Sequence, residues 1–195
     1  MAERPEPGPI PVIVDTDGGV DDATALWWAL TDPRVDVVGI LVTWGNVDLD
    51  MAAMTVFRVL AAAGRPDIPV ALGADDAIGP TPLTGRATFV HGVDGLGGHG
   101  HRWSTGGLTP VSETAAQLLT RLTGERPGEL VLLTLGPLST TAAALRDEPA
   151  IAERVADLVV MGGAVARGGN AQPAGEANVA HDPEAAAIVV GAGWR

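Results

Sequence analysis

Cysteine, lysine and long apolar runs are all missing from this chain of 195 residues. Without cysteine there is no disulfide framework and no thiolate zinc site. Without lysine there is no ammonium group to hold a phosphate. A bilayer-spanning helix needs about 20 consecutive apolar residues, and no run approaches that length. Positive charge is scarce as well. The 12 basic side chains face 24 acidic ones, a net charge of −12, which argues against nucleic acid or an anionic membrane surface as a partner. Residues 1–11 carry four prolines and both charge signs but no apolar core of a signal peptide. They predict a flexible N-terminal tail over 1–9, then one domain over 10–195, in the cytoplasm.

Hydrophobic residues make up 46% of the chain, enough for a folded core. Short apolar runs predict strands at 10–14, 35–42, 68–72, 130–135 and 158–161. Helical patterns fall at 21–30, 49–63, 112–123, 138–145 and 183–190. This alternation implies an α/β fold: an open, mostly parallel sheet with helices on both faces, Rossmann-like in its core. Residues 73–110 break the rhythm. They are rich in glycine, proline and histidine, and their length suits a binding loop or lid. The last residues, Gly193, Trp194 and Arg195, follow a helical run where another strand is due. The sheet is therefore expected to be incomplete at its C-terminal end, with an unpaired edge and exposed apolar surface that favour association.

The densest chemistry lies where the first strand meets the first helix. Val12, Ile13 and Val14 run into Asp15, Asp17, Asp21 and Asp22, and Gly18 and Gly19 permit a sharp turn among them. Open α/β sheets bind ligands at such strand ends. Two like charges about 5 Å apart repel by roughly 3 kcal/mol at an effective dielectric of about 20. The next basic residue along the chain is Arg34, beyond the helix. A hard divalent cation among the carboxylates is the simplest remedy. Taken singly, Asp21 and Asp22 would be ordinary helix N-terminal acids, and Asp15 or Asp17 a turn former.

Further polar motifs follow the later strands. They are Thr43-Trp44-Gly45-Asn46, Thr134-Leu135-Gly136-Pro137-Leu138-Ser139, Met161-Gly162-Gly163 and the loop bearing Asn170, Glu176 and Asn178. Each alone is an ordinary turn, cap or polar loop. Together they gather carboxylates and carboxamides at one end of the sheet, a set suited to a polyhydroxylated ligand such as a sugar around a hard cation. His91, His99 and His101 lie in the long loop at spacings that match no zinc pattern.

The run from Asp15 to Ala23 resembles the signature of the inosine-uridine-type nucleoside hydrolases. The resemblance continues through the motif at Asn46, His91-Gly92-Val93-Asp94-Gly95, the run from Thr134 to Leu138, Met161-Gly162-Gly163, and Asn170 to Ala186 with Asp182-Pro183-Glu184. It implies that fold and a calcium ion held by Asp17, Asp22 and the backbone carbonyl of Thr134. It further implies that Asp17 takes a proton from a calcium-bound water, which attacks the anomeric carbon of a ribonucleoside. By the same resemblance Asp21, Asn46, Asn170, Glu176 and Asn178 grip the ribose hydroxyls, Met161 lines the sugar and His91 lies near the nucleobase. A homo-oligomer, dimer or tetramer, is implied as well.

The chain departs from the family pattern in three places. Gly18 stands where proline is usual, predicting a looser turn, and Ala177 stands where an aromatic is usual. The family also continues past Trp194 with a further aspartate for the calcium and, in many members, a histidine that protonates the leaving base. No residue here matches either role, and His181 reads as a loop histidine. Weak calcium binding is therefore expected, and a ribose- or calcium-binding remnant is one alternative. A haloacid-dehalogenase-type phosphatase is the other, with Asp15 as nucleophile, Asp17 as acid and magnesium. That alternative leaves Asp21, Asp22 and Asn46 without roles, and it lacks the lysine.

Overall fold

A computed structural model describes residues 8–79 and 86–194. The predicted tail falls mostly on residues 1–7, outside the described residues. The β-branched and aliphatic runs form strands β1 (Ile10–Thr16), β2 (Val35–Val42), β3 (Val70–Leu72), β4 (Val131–Thr134) and β5 (Asp157–Val160). They make one sheet in the order β3-β2-β1-β4-β5, with every pairing parallel. The chain builds outward from β1 in one direction, then returns to the other side of β1 with β4. Ligands of open α/β sheets bind at that reversal, beyond the strand C-termini.

Burial on both faces explains why β1 is apolar without alternation. Val12 and Val14 face helices α1 (Val20–Thr31) and α2 (Leu49–Ala63), in a core with Leu26, Val56 and Leu60. Ile13 faces the opposite layer. Helix α3 (Thr88–His91) lies in the long connection. The helices packed on Ile13 are α4 (Ala115–Glu125), α5 (Ser139–Asp147) and the single turn α6 (Ile151–Arg154). A five-residue helix α7 (Ala177–His181) precedes α8 (Pro183–Val190), which joins the same core.

Several boundaries differ from the sequence expectation for identifiable reasons. Helix α4 begins at Ala115, not 112, because Thr114 caps it: its hydroxyl accepts the Gln117 N–H at 3.2 Å, and the Gln117 side chain accepts the Thr114 N–H at 2.9 Å. Helices α3, α6 and α7 are too short to show a helical period and were not predicted. The 73–110 segment is therefore not all loop. It holds α3 and a 3-10 turn, Gly100–Arg102, while residues 80–85 lie outside the described part. His181, expected in a loop, is the buried last residue of α7. The expected sheet edge is present among the described residues: β5 is an outer strand, and Val159 is exposed on it. Among the described residues no helix is long and apolar enough to cross a membrane.

Leu132 sits fully buried at the centre of β4. Leu132→Ala should cost about 2–5 kcal/mol, which for a domain of this size lowers Tm by roughly 5–15 °C. Thermal unfolding followed by circular dichroism checks this, and a shift under about 2 °C would mean that the Leu132 site collapses around the smaller side chain.

Candidate active site

The turn after β1 is shaped by contacts as much as by its sequence. Gly18 adopts φ +71°, and a Cβ there would lie 2.5 Å from the Ala52 Cα of α2. Proline, with φ fixed near about −65°, could not take this conformation. The turn is therefore wedged against α2, not loosened as the glycine suggested. It delivers Asp17 into the crevice between β1 and β4. Gly45 and Gly136 close in around Asp17: a Cβ on Gly45 would overlap its Oδ2, and one on Gly136 would fall 2.9 Å from its Cβ.

Asp17 and Asp22 are both buried. Asp17 accepts the Asn46 backbone N–H on Oδ2 at 2.7 Å and the Asn46 side-chain amide on Oδ1 at 3.1 Å. The same amide nitrogen lies 3.3 Å from Asp22 Oδ2. Asp22 also accepts the Thr16 hydroxyl at 2.5 Å and the Gly19 N–H at 3.2 Å. Burial, reinforced by the charge of Asp22, pushes the Asp17 carboxyl well above the ordinary carboxylate range. Burial raises Asp22 too, against the pull of Thr16. Among the described residues neither acid has an ion-pair partner.

The remaining predicted residues fall into two groups, one at the start of α1 and one at the ends of β4 and β5. Asp21 is exposed, with its Oδ1 3.6 Å from His91 Nδ1. His91 Nδ1 accepts the Val20 N–H at 3.2 Å. Asn178 donates through Nδ2 to the Leu135 carbonyl at 2.7 Å, the Met161 carbonyl at 3.0 Å and the Met161 sulfur at 3.1 Å. Met161 is half exposed. The Glu176 carboxylate caps α7, accepting Asn178 N–H at 2.9 Å, and reaches Gly163 N–H at 2.9 Å. Asn170 is one step further out, accepting the Ala177 N–H at 2.8 Å.

Thr134 ends β4, with its carbonyl oxygen bonded across the sheet. That oxygen accepts the Met161 N–H at 2.9 Å, across the sheet towards β5. The next residue, Leu135, donates to the Asp15 carbonyl at 2.7 Å and so faces β1, directly before Gly136. Asp15 itself lies on the α4 and α5 side of the sheet, fully buried, accepting the Thr141 hydroxyl at 2.9 Å. A nucleophile needs access, so the phosphatase alternative is not favoured.

Some supporting residues escaped the sequence reading. Trp44 donates from Nε1 to Ser139 at 2.9 Å, and Ser139 donates to the buried Asp182 at 2.6 Å. His181 meets the Trp44 ring edge-on at 5.4 Å between centroids. This network pins the strand-end turn that carries Asn46. Its members are scattered over nearly 140 positions of the chain (44 to 182), so no local pattern links them. The glycines of the Trp44-Gly45-Asn46 and Leu135-Gly136-Pro137 turns were the available signal for close approach.

Among the described residues no group of three or more acidic or histidine side chains is placed to hold a metal. The two buried carboxylates are nonetheless a suitable partial ligand set for a hard cation, which carbonyl and hydroxyl oxygens can complete.

The chain is 40% identical over 178 residues to a probable uridine nucleosidase 2 of Arabidopsis thaliana, covering 91% of this chain and 55% of that protein. It superposes on a structure of the plant nucleoside hydrolase PpNRh1 with a TM-score of 0.89 and 39% identity, covering 95% of this chain and 58% of that one. For a purine-preferring ribonucleoside hydrolase from Gardnerella vaginalis the TM-score is 0.88 at 29% identity, covering 94% and 58%. The chain thus spans little more than half the length of these relatives. The sequence model of the inosine-uridine preferring nucleoside hydrolases matches residues 12–195, and the chain belongs to that family.

Proposed function

We propose that this site hydrolyses the N-glycosidic bond of a ribonucleoside, releasing base and ribose. The observation that carries the proposal is the buried pair Asp17 and Asp22, joined through Asn46 at the sheet's reversal point. A carboxylate whose proton affinity is raised by burial is a competent general base for water. Asp17 therefore takes the proton of the attacking water, while Asn46 keeps both of its oxygens oriented. The sugar passes through an oxocarbenium-like state, as in other glycoside hydrolysis. Asp21, Asn46, Asn170, Glu176 and Asn178 hold the ribose hydroxyls, Met161 lines the ring, and His91 lies towards the base. Contacts that tighten as the ring flattens raise kcat rather than affinity alone.

Asp17 and Asp22 fit a calcium ion, with one carbonyl from the end of β4. That carbonyl is the one of Thr134, which accepts a single N–H, from Met161, and keeps a second lone pair. When bound, calcium supplies the charge that keeps both carboxylates ionised and lowers the pKa of the water it binds. The net charge of −12 supports a small-molecule substrate in place of nucleic acid or a membrane. The family resemblance implies a homo-oligomer, a dimer or tetramer, and we place the protein in the cytoplasm.

The test is release of p-nitrophenol from p-nitrophenyl riboside by the folded chain, with calcium and with a chelator. That leaving group needs little protonation, so it reports on the Asp17 side of the reaction alone. Release abolished by chelator is the expected result. No release from demonstrably folded protein would overturn the catalytic proposal for this chain.

A further inference from the structure

The strongest unassigned device lies in the glycine-rich loop after α3. Asp94 accepts three backbone N–H groups: Leu96 at 3.0 Å and Gly98 at 2.8 Å on Oδ1, and Gly100 at 2.7 Å on Oδ2. Burial alone would raise its carboxyl, but these bonds hold it below the ordinary range. Gly92, Gly95, Gly97 and Gly98 all have φ between +63° and +81°, a conformation that costs other residues about 1 kcal/mol or more each. Those glycines let successive N–H groups converge on one carboxylate.

The knot is tied to helix α2 and to the active-site turn. The Thr55 hydroxyl donates to the Asp94 carbonyl at 3.3 Å, and Gly95 lies so close to the Gly18 carbonyl oxygen that an added Cβ would overlap it. Gly97 N–H donates to the His91 carbonyl at 2.8 Å. His91 in turn accepts the Val20 N–H on Nδ1. A neutral imidazole that accepts at Nδ1 carries its proton on Nε2.

We propose that Asp94 is a positioning residue, whose carboxylate knots residues 91–100 into a clamp that braces the turn bearing Asp17 and Asp22 and fixes His91 as the Nε2–H tautomer. Gly18 is thus in close contact with both Ala52 of α2 and Gly95 of the clamp. It rests on the proposed hydrolysis only for its kinetic consequence. An asparagine at position 94 keeps one acceptor oxygen but points an NH2 group at a backbone donor, so the knot loosens without loss of volume.

The test uses Asp94→Asn and Gly95→Ala, which disturb the clamp from its two sides, with exposed Asp67→Asn as the control. Nitrogen NMR of the histidine rings should show one Nε2–H tautomer for His91 in the parent and in Asp67→Asn. Both clamp variants should show tautomer exchange and loss of the Val20 bond. Kinetically, kcat/KM on p-nitrophenyl riboside should fall about 10- to 100-fold in each, as expected for a misplaced reacting group. If Asp94→Asn fails to fold, Gly95→Ala, which retains the carboxylate, decides. A single unchanged His91 tautomer in folded clamp variants would overturn the proposal, whatever the activity. A parent chain without riboside turnover counts against the proposed hydrolysis and leaves the clamp to be decided by the NMR result.

Discussion

Asp17→Asn is expected to lower chelator-sensitive riboside hydrolysis by about 10³-fold, within the range of roughly 10²–10⁴ for removal of a general base. The asparagine keeps the shape of the side chain and can still accept the Asn46 N–H that now reaches Oδ2 at 2.7 Å. It cannot take a proton from water, and it brings no charge to a cation. The same substitution should make the calcium-free chain more stable. Asp17 is buried beside Asp22 with no cationic partner among the described residues, and its raised pKa expresses that cost. Groups held in a strained electrostatic state for function often give stability when replaced. Steady-state kinetics and thermal unfolding in chelator check the two halves together. Activity within tenfold of the parent would remove Asp17 from the role of base. Lost activity with lowered stability would show that Asp17 is needed for the fold itself.

The second large effect concerns Asp15 and pH. Burial, offset in part by the Thr141 hydroxyl and added to by the charge of Asp22, pushes its carboxyl from 3.8 up to about 7. Between about pH 4 and pH 7 the folded chain therefore keeps a proton that the unfolded chain has released. Where the folded state binds more protons, stability falls as pH rises. At about 1.4 kcal/mol per pH unit, the loss from Asp15 amounts to ~4 kcal/mol at most. Asp17 and Asp22 are displaced in the same direction and steepen the decline. Asp15→Asn removes one titration and retains an acceptor for Thr141. Urea unfolding in chelator from about pH 5 to 8 should show the variant gaining on the parent as pH rises, by a few kcal/mol at the alkaline end. A difference between the two that stays constant with pH would remove Asp15 as the titrating group.

Asp15 also shows where sequence reading stops. In the sequence it stands two positions from Asp17 as one of four similar acids. The twofold alternation of a strand sends the side chains of β1 to opposite faces in turn. Asp15 consequently meets Thr141, 126 positions away, in the layer of α4 and α5. Asp17, past the end of the strand, enters the crevice. Thr134 and Leu135 differ in the same way. Sequence can name both as carbonyls after β4, but only the fold gives the Thr134 oxygen the Met161 N–H and the Leu135 oxygen the Asn178 amide.

The sequence by itself determined the α/β class, the five strands with their five longest helices, and the strand-end position of Asp17, Asp22, Asn46 and Asn178. These follow from hydrophobic periodicity and from the rule that ligands sit where strands end, both of which are local or nearly local. Only the tertiary structure decided which acids share an amide, that Gly18 is wedged on Ala52, and that Asp94 knots a loop against the turn more than 70 residues upstream of it. Each of these depends on strand register and on helix packing between distant segments, which a chain settles only when its two cores close on the sheet.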